Sequence, residues 1–196
     1  MADAPALPIR KRMRRREIPG GLRFVTFSCQ RRLPLLGRAA IRDVLTAALI
    51  LTRTQHRFEL FAWVVMPEHV HLMVRPRPES KLHDALRSLK TSVAKRVVSR
   101  WMDLRTPVLE QLRTGDKPVR FWQKGGGFDR NLRDMEEFCR EVRCIHRNPV
   151  TRGLVERPED WKWSSARWWM GMREGEVECD PPPGDPKPWE GWRGYA

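Results

Sequence analysis

Long apolar runs are missing from this sequence. The most hydrophobic stretch, Val44 to Leu51, lies between Arg42 and Arg53 and is far shorter than the ~20 residues that span a bilayer. No apolar segment follows the basic residues near the N-terminus, so no secretory signal is predicted. Cysteine is scarce too. The four present, Cys29, Cys139, Cys144 and Cys179, include no Cys-x-x-Cys pair, so neither a disulfide framework nor a structural zinc site is indicated. That usage fits a reducing cytosol. Acidic residues are outnumbered, 24 against 38 Lys and Arg, which leaves a formal charge of +14 and a pI near 10.7. Such an excess predicts a polyanionic partner, most often nucleic acid. An anionic membrane surface and a basic but merely soluble protein are the alternatives. Gly125-Gly126-Gly127 is not followed by Lys-Ser/Thr, so no phosphate loop is expected. Internal repeats are absent.

What is present sorts into three regions. Residues 1–19 read as a basic arm. Arg10-Lys11-Arg12-Met13-Arg14-Arg15-Arg16 has nothing to bury and suits phosphate contact. Residues 20–170 carry the alternating and helical patterns of one domain. Residues 171–196 form a proline-rich tail, with Pro181, Pro182, Pro183, Pro186 and Pro188 favouring extended or disordered chain.

Within the domain, Phe24 to Cys29 is β-rich. Residues 39–56 have helical spacing. Phe58 to Val65 is apolar at both parities, as a strand covered on both faces would be. Pro67-Glu68 makes a turn, and His69 to Val74 returns as the partner strand. Ser80 is placed to cap a helix running to Trp101. Residues 102–118 read as a loop, and Val119 to Lys124 as a short strand. A last helix runs from Asp134 to Asn148, ended by Pro149. Trp161, Trp163, Trp168 and Trp169 are placed to cap the core. The order predicts an α+β fold: a ferredoxin-like βαββαβ sheet with an extra C-terminal helix.

The most informative stretch is Met66-Pro-Glu-His-Val-His-Leu-Met-Val74. On a strand, His69 and His71 share one face while Val70, Leu72 and Val74 take the other. Two imidazoles side by side make half of a metal site; two hydrogen-bonded histidines on a half-exposed strand are the plainer alternative. On the last helix, Cys144 and Asn148 are i and i+4 and share a face with Glu137 and Glu141, away from Met135, Phe138, Val142 and Ile145. For nucleic acid, the candidates are the arm (Arg10, Lys11, Arg12, Arg14, Arg15, Arg16), the cationic helix (Lys90, Lys95, Arg96) and Trp122 with Lys124, where an aromatic among cations suits base stacking. Core packing is the other use for Trp122.

Trp63-Val-Val-Met-Pro-Glu-His-Val-His-Leu-Met-Val74 followed by Ile145-His-Arg-Asn-Pro-Val-Thr-Arg-Gly-Leu-Val155 closely resembles the single-tyrosine HUH transposases of the insertion-sequence 200-like group. Within that group it looks most like the REP-associated tyrosine transposases. Asp160-Trp-Lys-Trp-Ser-Ser165 is similar to the same branch, and the resemblance spans Gly21 to Trp169. It implies a ferredoxin-like sheet and cleavage and rejoining of single-stranded DNA beside short hairpins. It also implies Mg2+ or Mn2+ held by His69, His71 and Asn148. The family's nucleophile is a tyrosine one turn before the third ligand. Cys144 stands there, and the only tyrosine is Tyr195 in the tail. A thiol is shorter than a phenol, and its soft sulfur is poorly matched to phosphorus. The reading is therefore a protein, cytoplasmic and not membrane-bound, that binds single-stranded or hairpin DNA as monomer or homodimer and is impaired in strand cleavage. An active metal-dependent nuclease using Cys144, a metal-bound water or Tyr195 is the alternative.

Overall fold

Period-two alternation and 3.6-residue spacing divide the chain between a sheet and the helices that cover it. The computed structural model describes residues 18–184 except 114, 116, 117, 126, 173, 174 and 176. The arm cations Arg10 to Arg16 and Tyr195 lie outside the described residues. The strands are β1 (Arg23–Ser28), β2 (Glu59–Val65), β3 (His69–Arg75) and β4 (Phe128–Asn131). The helices are α1 (Ala39–His56), α2 (Leu82–Asp103), α3 (Val108–Leu112), α4 (Met135–Thr151) and α5 (Ala166–Trp169). The sheet is antiparallel with order β2-β3-β1-β4. The α+β class and the four-stranded sheet are as the sequence predicts. Among the described residues no helix is long and apolar enough to cross a membrane.

Alternation assigns each strand residue to a face. Val70, Leu72 and Val74 of β3 join Val25 and Phe27 of β1 in a core with Leu45 and Leu49 of α1 and Leu89 and Val93 of α2. Met73 turns the other way, into a second core where Phe138, Val142 and Ile145 of α4 pack against Phe24, Phe61 and Val64. His69 and His71 share that second face. β2 is buried from Leu60 through Val65, the two-sided cover its apolar run implies. A register shift between Leu60 and Ala62 lets both Phe61 and Ala62 turn toward α4.

The fourth strand is where sequence and structure part. Val119 to Lys124 supplies only a bridge, Cys29 to Trp122, and the strand that pairs with β1 is Phe128–Asn131. Gly127 explains the shift. It has φ +75, and a Cβ there would lie 2.0 Å from the Thr26 carbonyl oxygen, so only glycine brings the chain this close to β1. Asp129 then meets Arg23 in a buried ion pair at 2.7 Å, both side chains 4% exposed.

Four other expectations need correction. The N-cap of α2 is Lys81, without a side-chain cap; the amide of Ser80 instead bonds to the Arg77 carbonyl at 2.9 Å. The stretch read as a loop contains α3, because Leu109 and Leu112 have core to fill. α4 continues through Pro149 to Thr151. Proline in the last turn forfeits a bond near the end instead of breaking the ladder midway, and Gly153, with φ 65, ends the helix. Part of the expected tail is drawn into the fold: Val177 and Cys179 join the first core, and the Asp180 amide bonds to the Leu60 carbonyl at 2.7 Å.

Candidate metal and DNA site

Register places the two histidines. β1 pairs Thr26 with His71 and Ser28 with His69, so the rings emerge side by side on an inner strand, with β1 between them and the β4 edge. His71 has its Nδ1 2.6 Å from Thr26 Oγ1 and stacks on Phe24, with centroids 5.4 Å apart and planes 24° apart. His69 is 4% exposed, with its Nδ1 3.1 Å from Glu68 Oε1. Burial lowers both imidazoles. His71 is held down to about 3, with His69 and Arg32 adding to the effect of burial. His69 is lowered by burial although Glu68 pulls the other way. Both rings are neutral at physiological pH, the form in which imidazole binds a metal.

The other ring nitrogens converge. His69 Nε2 and His71 Nε2 are 2.9 Å apart. Two ligand atoms each ~2.1 Å from one ion and at about 90° are ~3 Å apart, so this spacing fits adjacent positions on a divalent cation. Among the described residues no three His, Cys, Asp or Glu side chains cluster as a metal site. The third protein ligand expected from the sequence resemblance is Asn148, on α4.

Two tethers lay α4 over this face. Near its start, Arg130 of β4 binds Glu137 closely and Glu141 at 2.8 Å. At its end, Arg152 donates Nη1 to Glu68 Oε1 at 2.7 Å. Glu137, Glu141, Cys144, Asn148 and Arg152 follow one another at i+3 or i+4 and form a single stripe. Cys144 and Asn148 thus sit between tethers that both reach the sheet beside the histidines. Cys144 is exposed, yet its surroundings desolvate the sulfur enough to push the thiol up, and Glu141 pushes it further. At neutral pH it is a thiol, not the nucleophilic thiolate.

The DNA-binding candidates are less concentrated. Lys95 and Arg96 are exposed on α2, and Lys124 is exposed in the following loop. Lys90 and Lys95 border a cleft of about 650 Å3 with Phe27, Arg87, Ala94 and Trp122. Trp122 is mostly buried. It packs edge-on against Phe27 and Phe121 and donates its indole N–H to the Lys90 carbonyl at 2.7 Å. It is a wall of the core, the second of the two uses its sequence context left open. The exposed aromatic beside the site is Phe128, 44% exposed and edge-on to Phe24.

Sequence reasoning assigned no part in the histidine site to Thr26, Glu68, Arg130 or Arg152. Glu68 adjoins His69 and Arg152 lies at i+4 from Asn148, so both had a positional signal. Thr26 and Arg130 needed the strand register.

A sequence model of the family described as transposase IS200 like matches residues 22–124. The chain is 27% identical over 156 residues to the REP-associated tyrosine transposase of Escherichia coli (strain K12), covering 78% of this chain and 80% of that protein. It is also 27% identical over 151 residues to a protein of Haemophilus influenzae named as a putative REP-associated tyrosine transposase, covering 74% and 80%. The solved structure of a REP-associated tyrosine transposase bound to a REP hairpin matches with a TM-score of 0.67 at 23% identity, covering 90% of this chain and 94% of that one. That likeness shows a common fold.

Proposed function

The chain belongs to the IS200-like transposase family, and on that basis we propose that it binds single-stranded or hairpin DNA with its strand-cleaving step impaired. The observation that carries this reading is Cys144. It occupies the position of the family's tyrosine, between the tethers of α4, as a thiol whose partly desolvating surroundings and whose neighbour Glu141 both oppose ionisation. A protonated thiol beside a carboxylate is a poor nucleophile toward a phosphodiester.

The rest of the machinery favours retention of binding. The +14 charge supplies phosphate contacts from the arm residues, Lys90, Lys95, Arg96 and Lys124. A relative solved with a REP hairpin supports hairpin DNA as the ligand class. His69 and His71, with Asn148, are the residues that would hold Mg2+ or Mn2+. When bound, that ion would polarise a non-bridging phosphate oxygen and offset developing charge. The chain's own part is to keep both imidazoles neutral and to hold them on a rigid strand.

The test mixes the full chain with manganese and a hairpin-bearing single strand, then looks for protein covalently attached to DNA. The expected outcome is salt-sensitive binding with no adduct. A wild-type adduct lost in Cys144→Ser would show a working nucleophile and overturn the impaired reading. An adduct mapped to Tyr195 would overturn it by another route.

A further inference from the structure

Five side chains around the histidine pair are joined in an unbroken line of polar contacts. Arg152 Nη1 is 2.7 Å from Glu68 Oε1. The same oxygen is 3.1 Å from His69 Nδ1. His69 Nε2 is 2.9 Å from His71 Nε2, and His71 Nδ1 is 2.6 Å from Thr26 Oγ1. Elementary donor and acceptor rules leave this line one direction. Glu68, paired with a guanidinium, is a carboxylate and accepts only. His69 must therefore donate its Nδ1–H to Glu68, which leaves its Nε2 a bare lone pair. For a hydrogen bond at 2.9 Å, His71 must then donate Nε2–H to His69. His71 Nδ1 is left bare and accepts from the Thr26 hydroxyl.

We propose that Glu68, clamped by Arg152, is the positioning residue that directs this relay, presenting His69 Nε2 as a preformed ligand and leaving His71 as the ring that must change tautomer. Its functional consequence rests on the metal reading above. Two bare Nε2 atoms are needed to share a cation. His69 has one already. His71 gains one when its proton passes from Nε2 to Nδ1 by exchange with solvent. The Thr26 hydroxyl, which rotates freely, turns from donor to acceptor to receive it. The ring stays neutral throughout, no proton is gained or lost overall, and no other side chain changes role. Arg152 adds a second effect. It lies one turn beyond Asn148, so its bond to Glu68 also pins the ligand-bearing turn of α4 to the strand that carries the histidines.

Nitrogen-15 spectra of the histidine rings in the full chain test the relay. Without metal, His69 is expected as the Nδ1–H tautomer and His71 as the Nε2–H tautomer. Added magnesium, which is diamagnetic, should convert His71 alone. Glu68→Met keeps length but removes the acceptor; it should mix the His69 tautomers and weaken manganese binding ~10–100-fold, the usual effect of losing a partner behind a ligand. Arg152 is half exposed on its side chain, so its variants should fold whatever Glu68→Met does. Arg152→Met should weaken manganese binding, and Arg152→Lys should restore it to within about threefold, because an ammonium can keep the single charge-assisted contact that Arg152 makes with Glu68. Identical tautomers at His69 and His71 in the wild type would overturn the proposal. So would a Glu68→Met protein with an unchanged His69 tautomer and unchanged manganese affinity. A wild type that shows opposite tautomers but binds no manganese would uphold the relay and remove the metal reading instead.

Discussion

The strand-borne and helix-borne halves of the site are held in opposite ways. His69 and His71 are fixed by backbone register, stacking on Phe24 and hydrogen bonds at each outer nitrogen. Burial keeps both rings neutral, although Glu68 pulls His69 the other way. Cys144 and Asn148 ride on a helix held over the sheet from its two ends by ion pairs. What lies near Cys144 opposes the ionised nucleophile. On the proposed reading, the contrast makes the metal-holding and bond-breaking parts of one site physically separable. A chain can keep the first, built into a strand, while the second changes with one side chain on a helix.

The largest expected effect breaks the strand half. His69→Ala/His71→Ala should abolish manganese binding while DNA affinity, supplied by the cationic surface, is mostly retained. Equal manganese affinity in calorimetry of the wild type and the double mutant would remove the assignment. Next is the anchor of β4, the strand that carries Arg130. Asp129→Ala leaves Arg23 charged and unpaired where both groups are 4% exposed. Removing one partner of a buried pair costs ~3–5 kcal/mol, measurable by urea unfolding.

A third test lies outside both halves. Deleting residues 1–17 should weaken binding to all hairpin sequences alike, because phosphate contacts carry no sequence information. The salt dependence should flatten by ~0.7 in slope for each lost phosphate contact. A sequence-dependent loss in a filter-binding titration would contradict that role. A fourth concerns the inner side of α4. His146 is fully buried with its Nε2 2.8 Å from Ser165 Oγ, and burial holds it down to about 3. The unfolded chain takes up this proton first as pH falls below ~6.5, so the folded state should lose stability steadily from there toward pH 3. His146→Gln should make the fall in melting temperature across that window shallower, leaving the part that His69 and His71 contribute. The smallest effect is expected at Cys144. Cys144→Ser on an exposed position should change stability by less than ~0.5 kcal/mol. It should leave hairpin affinity as it was, sharpening the view that the helix half is inert.

Local pattern was enough for much of this protein. The limits of α1, the pairing of β2 with β3 and the shared face of His69 and His71 follow from period and turn residues within a few positions of each other. Cys144 at the nucleophile position and the excess of positive charge were equally legible, because each is a property of composition or of one motif. Tertiary structure decided the rest. Which segment becomes β4 depended on how closely Gly127 lets the chain approach Thr26, a distance between residues far apart in sequence. Trp122 became core because Phe27 and Phe121 surround it. Thr26, Glu68, Arg130 and Arg152 entered the site only once strand register and helix docking brought them together. Hydrogen bonds and ion pairs act over about 3 Å, and only the folded chain sets separations that small between residues distant in sequence.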